Sequence, residues 1–197
     1  MSIIIIDTGC SNLSSLSFAI HRLGYKPIIT SNYKDIRIAK KIFIPGVGTA
    51  KTAMYNLNKY NIVQEIQEAK VPVLGICLGM QILGSYSMEN NVKTKTLGIF
   101  DSIVVSMKKN KLSLPHIGWN YVLPVKNNVL LKNIKKKEYF YFIHQYIFPI
   151  NIFTIAKSIY GESFSAIMCK KNFYGVQFHP EKSGKYGSIL IKNFLEI

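Results

Sequence analysis

The 197-residue sequence predicts an α/β fold with a central, mostly parallel sheet that antiparallel strands extend in the second half of the chain. Three observations carry this. Up to Gly84, short β-branched runs alternate with segments of helical spacing, the order that right-handed crossovers lay onto a parallel sheet. Beyond Thr96, strand-like runs follow one another across hairpin-length gaps. The composition, 48% hydrophobic and 18% charged, excludes disorder and supplies a sizeable core.

Ser2 to Ile6 reads as a fully buried parallel strand. Leu13, Leu16, Ile20 and Leu23 recur at helical spacing, with Ser11-Asn12 as a candidate N-cap and Gly24 closing the helix. Tyr25 to Thr30 is the second strand, Ser31 to Lys40 a short helix or loop, and Lys41 to Ile44 the third strand. Pro45-Gly-Val-Gly-Thr49 then forms a flexible loop at the carboxyl edge of the sheet, where open α/β folds bind ligands. Asn61 to Lys70 is a helix with Ile62, Val63 and Ile66 inward. Val71 to Leu83 reads as strand, sharp turn and helix. Polar Ser85 to Thr96 is a loop. Strands are expected over 99–107, 119–125, 139–148, 153–160, 164–169 and 173–178, with hairpin turns at Tyr160-Gly161 and Lys171-Asn172, and a final helix follows. No linker, repeat or low-complexity segment divides residues 1–197, so a single domain is expected.

The formal charge of +15 raises nucleic acid as a partner. Only Arg22 and Arg37 among the 25 basic residues are arginine, however, and the lysines are scattered apart from Lys135-Lys136-Lys137, which reads as a solvated turn. Nucleic-acid binding is therefore not expected. The apolar runs fall far short of the roughly 20 residues of a membrane span, and Asp7 interrupts the opening run before a leader can form. Three cysteines, an odd number, fit a reducing cytoplasm better than a disulfide framework. Phosphate-binding motifs fail as well. Ala50 stands where a Walker loop needs Gly before Lys51-Thr52, and Asp7-Thr-Gly-Cys-Ser-Asn12 lacks G-x-G-x-x-G. Cys10, Cys77 and Cys169 lie too far apart for a metal-ligand pattern, so neither metal nor cofactor is expected.

The chemistry concentrates in two stretches. In Gly75-Ile-Cys-Leu-Gly79 the cysteine sits at the apex of a strand–turn–helix, with glycine two residues to either side, which is the pattern of a nucleophile elbow. A thiol at a helix start lies near positive partial charge that favours thiolate, and the backbone N–H of Leu78 can face a developing oxyanion. A buried structural cysteine is the alternative, and the flanking glycines argue against it. In Gly175-Val-Gln-Phe-His-Pro-Glu181, Pro180 forces His179 into extended backbone, so Glu181, two residues on, is expected on the same side as the imidazole. Cys77, His179 and Glu181 then make a Cys–His–Glu triad. His21, His116 and His144 compete as the base. His21 falls on the polar side of its helix, and the other two lack a carboxylate nearby in sequence.

Together, Gly75-Ile-Cys-Leu-Gly-Met-Gln81 and His179-Pro-Glu181 resemble the class I, or triad, glutamine amidotransferases over essentially the whole chain. Asp7-Thr-Gly-Cys-Ser-Asn12, Pro45-Gly-Val-Gly-Thr49, Leu114-Pro-His-Ile-Gly-Trp-Asn120 and the run from Asn172 to Ser183 narrow the resemblance to the glutaminase subunits of imidazole glycerol phosphate synthases. The resemblance implies a flavodoxin-like three-layer fold. It implies that Cys77 attacks the side-chain amide of glutamine, that His179 shuttles the proton, and that water releases glutamate from a thioester. It places Leu78, Val47 and Gly48 at the oxyanion, the loop donor becoming available after a peptide rearrangement. Gln81, Gly46, Gln145 and Tyr146 hold substrate, and Asn12, Trp119, Tyr141 and Lys182 face a partner. That partner is a cyclase subunit in a heterodimer, which receives ammonia through a channel. One residue departs from the pattern. Gln145 stands between His144 and Tyr146 where a small hydroxyl is usual, which is tolerable if only its backbone is used and weakens glutamine affinity if the hydroxyl matters.

A partner also follows from the residues alone. One glutaminase-sized domain uses the whole chain and leaves nothing to bind an acceptor, while ammonia released into water is protonated and loses its nucleophilicity. Two other classes keep some of these features. One is a triad amidotransferase with a different acceptor, against which Gly118-Trp119-Asn120 argues. The other is a peptidase-like hydrolase or a silent binding module, against which the intact triad argues.

Overall fold

The computed structural model describes residues 2–9 and 13–197. In chain order the elements are β1 (Ile3–Ile6), α1 (Leu13–Arg22), β2 (Pro27–Thr30), α2 (Tyr33–Arg37), β3 (Lys41–Gly46), α3 (Ala50–Lys59), α4 (Val63–Gln67), β4 (Val73–Cys77) and α5 (Leu78–Gln81). Then follow β5 (Tyr86–Ser87), β6 (Thr94–Lys95), β7 (Ile103–Ser106), β8 (His116–Pro124), β9 (Glu138–His144), β10 (Tyr146–Ile147), β11 (Thr154–Tyr160), β12 (Glu162–Lys170), β13 (Phe173–Val176) and α6 (Gly184–Leu195).

Among the described residues, nine strands form the main sheet in the order β2-β1-β3-β4-β13-β12-β11-β8-β9. The first five in that order run parallel and the remaining pairs antiparallel, so the sheet changes character at β13. Strand alternation explains the layering. In β1, Ile3 and Ile5 join a core with Leu16, Ala19 and Ile20 of α1 and Leu190, Ile191 and Phe194 of α6. Ile4 and Ile6 join the opposite core with Ala53 and Leu57 of α3 and Ile66 of α4. Both faces of the parallel half are covered, which is why its strands read as unbroken apolar runs. The hairpin turns fall where the sequence places them, with Gly161 at φ +71° between β11 and β12 and Lys171 at φ +56° between β12 and β13.

Several local expectations are corrected. Pro45 and Gly46 continue β3 and pair with Ile76 and Cys77, so the loop after the third strand begins only at Val47. The helix expected over 61–70 shrinks to the five residues of α4, because Asn61 at φ +52° interrupts the chain, and the longer helix is α3 just before it. Thr49 caps α3 by accepting from the Thr52 N–H at 3.2 Å. The polar stretch 85–96 is not plain loop. It contributes β5 and β6 to a second, four-stranded sheet in the order β10-β7-β5-β6.

Candidate active site

Cys77 ends β4 with φ +55° and ψ −111°, a strained conformation for a side-chain-bearing residue. The glycines around it make room. A Cβ on Gly75 would lie 2.5 Å from the Gly79 carbonyl oxygen, and one on Gly79 would lie 1.6 Å from that of Ile44. Only glycine at both positions lets α5 settle against the ends of β3 and β4. The helix behind the cysteine is a single α-turn continued by three further backbone bonds, Ile82 N–H to the Leu78 carbonyl, Leu83 N–H to the Met80 carbonyl and Gly84 N–H to the Gln81 carbonyl. The positive potential at the sulfur therefore comes from local N–H groups, Leu78 first among them, and not from a long dipole.

β13 runs beside β4 with Val176 opposite Ile76, which sets Gln177 next to Cys77, its Nε2 donating to Sγ at 3.8 Å. Two residues on, the His179 N–H donates to the Tyr141 carbonyl at 2.9 Å and the Ser183 hydroxyl donates to the His179 carbonyl at 2.6 Å. Glu181 reaches the ring as the sequence spacing suggests, but by another route. Pro180–Lys182 form a 3-10 turn that folds the carboxylate back, placing Oε1 2.8 Å from His179 Nδ1. His179 and Glu181 are almost entirely buried. Burial disfavours the charged imidazole, but Cys77 as a thiolate and then the Glu181 carboxylate override it, raising the His179 pKa to about 10. Nε2 is buried and makes no hydrogen bond among the described residues, and the thiol of Cys77 is directed to the Ile143 carbonyl at 3.7 Å. With Nδ1 tied to the Glu181 carboxylate and Nε2 left free, the ring is suited to take a proton from the thiol and give it to a leaving group.

Beside the sulfur lies a cavity of about 320 Å³, lined by Val47, Gly48, Cys77, Leu78, Gln81, Glu89 and the run Ile143 to Tyr146. That volume is at the small end for ligand sites and fits an amino acid. Val47, Gly48, Leu78, Gln81, Gln145 and Tyr146 are thus brought together, whereas Gly46 is held in β3 and borders a separate 30 Å³ void with His179, Glu181 and Lys182. Gly48 has φ +94°, and Val47 is 44% exposed. Gln81 donates through Nε2 to the Tyr146 carbonyl at 2.9 Å and to Gln177 Oε1 at 3.1 Å, so both its hydrogens are committed. Glu89 and Gln177 are site residues to which sequence reasoning assigned no role. Gln177 sits inside the His-Pro-Glu stretch, but Glu89 carries no local signal, because a fold-back of the polar segment brings it to the cavity. Its Oε2 accepts from the Ala50 N–H at 2.7 Å, at the start of α3.

His21 is exposed on α1. His116 and His144 are buried and bonded to each other at 3.0 Å, and burial holds their pKa values at about 4 and about 3, so they stay neutral at pH 7. Trp119, 56% exposed, meets Tyr141 edge-to-face at 6.1 Å across the β8–β9 ladder, and the Tyr141 backbone bonds to both His179 and Ser183. Lys182 is exposed beside them. Asn12 lies outside the described residues. Among the described residues no three His, Cys, Asp or Glu side chains are grouped to hold a metal ion.

Residues 4–197 match the family model described as glutamine amidotransferase class-I. The chain belongs to the class-I glutamine amidotransferases. This amidotransferase is 52% identical to the imidazole glycerol phosphate synthase subunit HisH of Buchnera aphidicola subsp. Schizaphis graminum and 49% identical to that of Escherichia coli K12, in each case over 100% of both chains. Among solved structures, a crystal structure of a glutamine amidotransferase superposes with TM-score 0.75 at 17% identity, covering 98% of this amidotransferase and 97% of that chain. PurLQS from Thermotoga maritima gives TM-score 0.72 at 17% identity, covering 99% and 97%. These two likenesses speak for the fold alone.

Proposed function

We propose that this amidotransferase is the glutaminase subunit of imidazole glycerol phosphate synthase. It hydrolyses L-glutamine to glutamate and ammonia and passes the ammonia to a cyclase subunit, which makes imidazole glycerol phosphate and aminoimidazole carboxamide ribotide in histidine biosynthesis. The observation that carries the reading is the 52% and 49% identity, over full length, to proteins named as the HisH subunit of that synthase. We infer that residues 1–197 form one domain, a reading supported by the family match across 4–197. No helix among the described residues is long and apolar enough to cross a membrane, and we place the enzyme in the cytoplasm with its pathway.

In the mechanism, the Cys77 thiolate attacks the side-chain amide carbon of glutamine while His179 holds the proton taken from the thiol. Collapse of the tetrahedral intermediate breaks the C–N bond, and His179 gives that proton to the nitrogen, which leaves as ammonia. A γ-glutamyl thioester remains. Water then adds to it, losing a proton to His179, and glutamate leaves as the thiolate is restored. The Leu78 N–H faces the oxyanion, joined by an N–H from the Val47-Gly48 loop once that peptide turns. Gln81 offers Oε1 and Glu89 its carboxylate to the substrate ammonium. Trp119, Tyr141 and Lys182, grouped beside His179, face the cyclase, which keeps the ammonia from water.

The test is glutamate release from glutamine by the chain alone and with a histidine-pathway cyclase bearing its ribulosyl precursor. Strong stimulation that vanishes in Cys77→Ala is the expected result. Cys77-dependent release that an associated, competent cyclase leaves unchanged would move the enzyme to another acceptor.

A further inference from the structure

The mechanism leaves two buried histidines unused. His144 Nδ1 lies 3.1 Å from the Tyr146 carbonyl, His144 Nε2 lies 3.0 Å from His116 Nδ1, and His116 Nε2 lies 3.4 Å from Asn120 Nδ2. The carbonyl only accepts, so His144 must carry its proton on Nδ1 and accept on Nε2. His116 must then donate from Nδ1 and accept on Nε2, where Asn120 supplies the hydrogen. One arrangement of protons satisfies every partner, with all donors pointing from Asn120 toward Tyr146 and both rings neutral. The His116 ring is clamped between Tyr160 at 4.0 Å and Phe142 at 5.0 Å, both nearly parallel to it, so it cannot turn to another tautomer's geometry without unpacking.

The far end of this chain is the glutamine cavity. The Tyr146 carbonyl accepts from His144 on one side and from Gln81 Nε2 on the other. With Gln177 Oε1 taking the second Gln81 hydrogen, the Gln81 carboxamide has one orientation, and its Oε1, without a hydrogen bond among the described residues, is left for the cavity. An acceptor there welcomes an ammonium, and a flipped amide would present N–H groups to it instead. We propose that His144 is a positioning residue for glutamine binding, which through the Tyr146 carbonyl fixes the orientation of the Gln81 carboxamide, while His116 and Asn120 fix the tautomer of His144. The proposal rests on the glutaminase reading above.

Two carboxamide replacements separate this role from packing. Asn at 144 sets its Nδ2 near the position of imidazole Nδ1 and keeps the donor to Tyr146, whereas Gln reaches the position of Nε2 and keeps only the contact with His116. Assayed in the complex with the cyclase, His144→Gln is expected to raise the KM for glutamine about tenfold with kcat within about twofold, while His144→Asn stays within about twofold of the parent KM. Packing alone predicts the reverse order, because Gln is closer to His in volume. Equal KM values in the two variants, or a loss confined to kcat, overturns the proposal. A second measurement needs no variant. Nitrogen-15 spectra of the histidine-labelled parent at pH 7 should show His116 and His144 as neutral rings protonated on Nδ1, and an Nε2–H tautomer or an imidazolium at either overturns it. Absence of Cys77-dependent glutamate release from the parent complex would instead remove the glutaminase reading, and this inference with it.

Discussion

At the scale of single residues, the site separates charge from geometry. Glu181 carries the charge that, with the sulfur, keeps His179 protonated well above the ordinary imidazole range. Glu181→Gln leaves the fold of the turn but removes that charge, so the His179 pKa falls. The alkaline limb of the kcat/KM profile should then move to lower pH, and kcat should drop by about 10². Glu89→Gln is a milder case. The amide still accepts from the Ala50 N–H, so the start of α3 stays capped while the charge facing the cavity is lost, and the KM for glutamine should rise about fivefold, or ~1 kcal/mol, at nearly unchanged kcat. Steady-state kinetics with the cyclase present check both. Cys77, His179 and Glu181 were legible as residues because strand-turn-helix glycine spacing and a Pro-flanked histidine are local signals. Glu89 was not, because only the return of the small sheet past the cavity gives a carboxylate on a 3-10 turn its neighbours.

At the scale of elements, the elbow and the helix after the Val47-Gly48 loop behave differently under substitution. Gly79→Ala drives a methyl into the Ile44 carbonyl, a backbone atom that cannot move without parting α5 from β3. A loss of about 3 kcal/mol or more is expected, visible as a lowered urea midpoint together with lost activity. Thr49→Ala removes one cap bond from α3 and should cost about 1 kcal/mol, with activity retained once the protein is folded. The same pair shows why some elements could be read and others not. The elbow is written in five residues. The apolar positions of α3, Ala50, Ala53, Met54 and Leu57, do follow helical spacing, yet they are small or set among Lys, Thr and Asn, and the segment reads first as a failed phosphate loop. β5 and β6 have two residues each, too short for any periodicity, and exist because β7 offers β5 a partner and β5 offers one to β6.

At the scale of the whole molecule, acid acts through the buried histidine pair. The folded pKa of His144, about 3, lies below its ordinary value near 6.5, so the folded state binds fewer protons than the unfolded chain throughout that window. Its contribution is complete above pH 6.5 and is lost as pH falls toward 3, at about 1.4 kcal/mol per pH unit. His116 acts in the same direction down to about pH 4. The urea midpoint of the parent should therefore fall more steeply between pH 6.5 and 4.5 than that of His144→Asn, which has no ring to protonate. The architecture itself was largely legible, including the change from parallel to antiparallel strands, because apolar runs and turn residues are local. That β13 would insert beside β4 was not, since it follows from packing across the whole sheet. This insertion sets Cys77 at the end of one strand and His179 just past the end of its neighbour, in an alignment that pairs Ile76 with Val176. A slip of one residue between them would turn Gln177 and His179 to the wrong face while leaving most backbone bonds available. The fraction of molecules whose Cys77 can be acylated by glutamine is therefore a head count of correctly zipped sheets, and it would expose a misaligned population that circular dichroism passes as native.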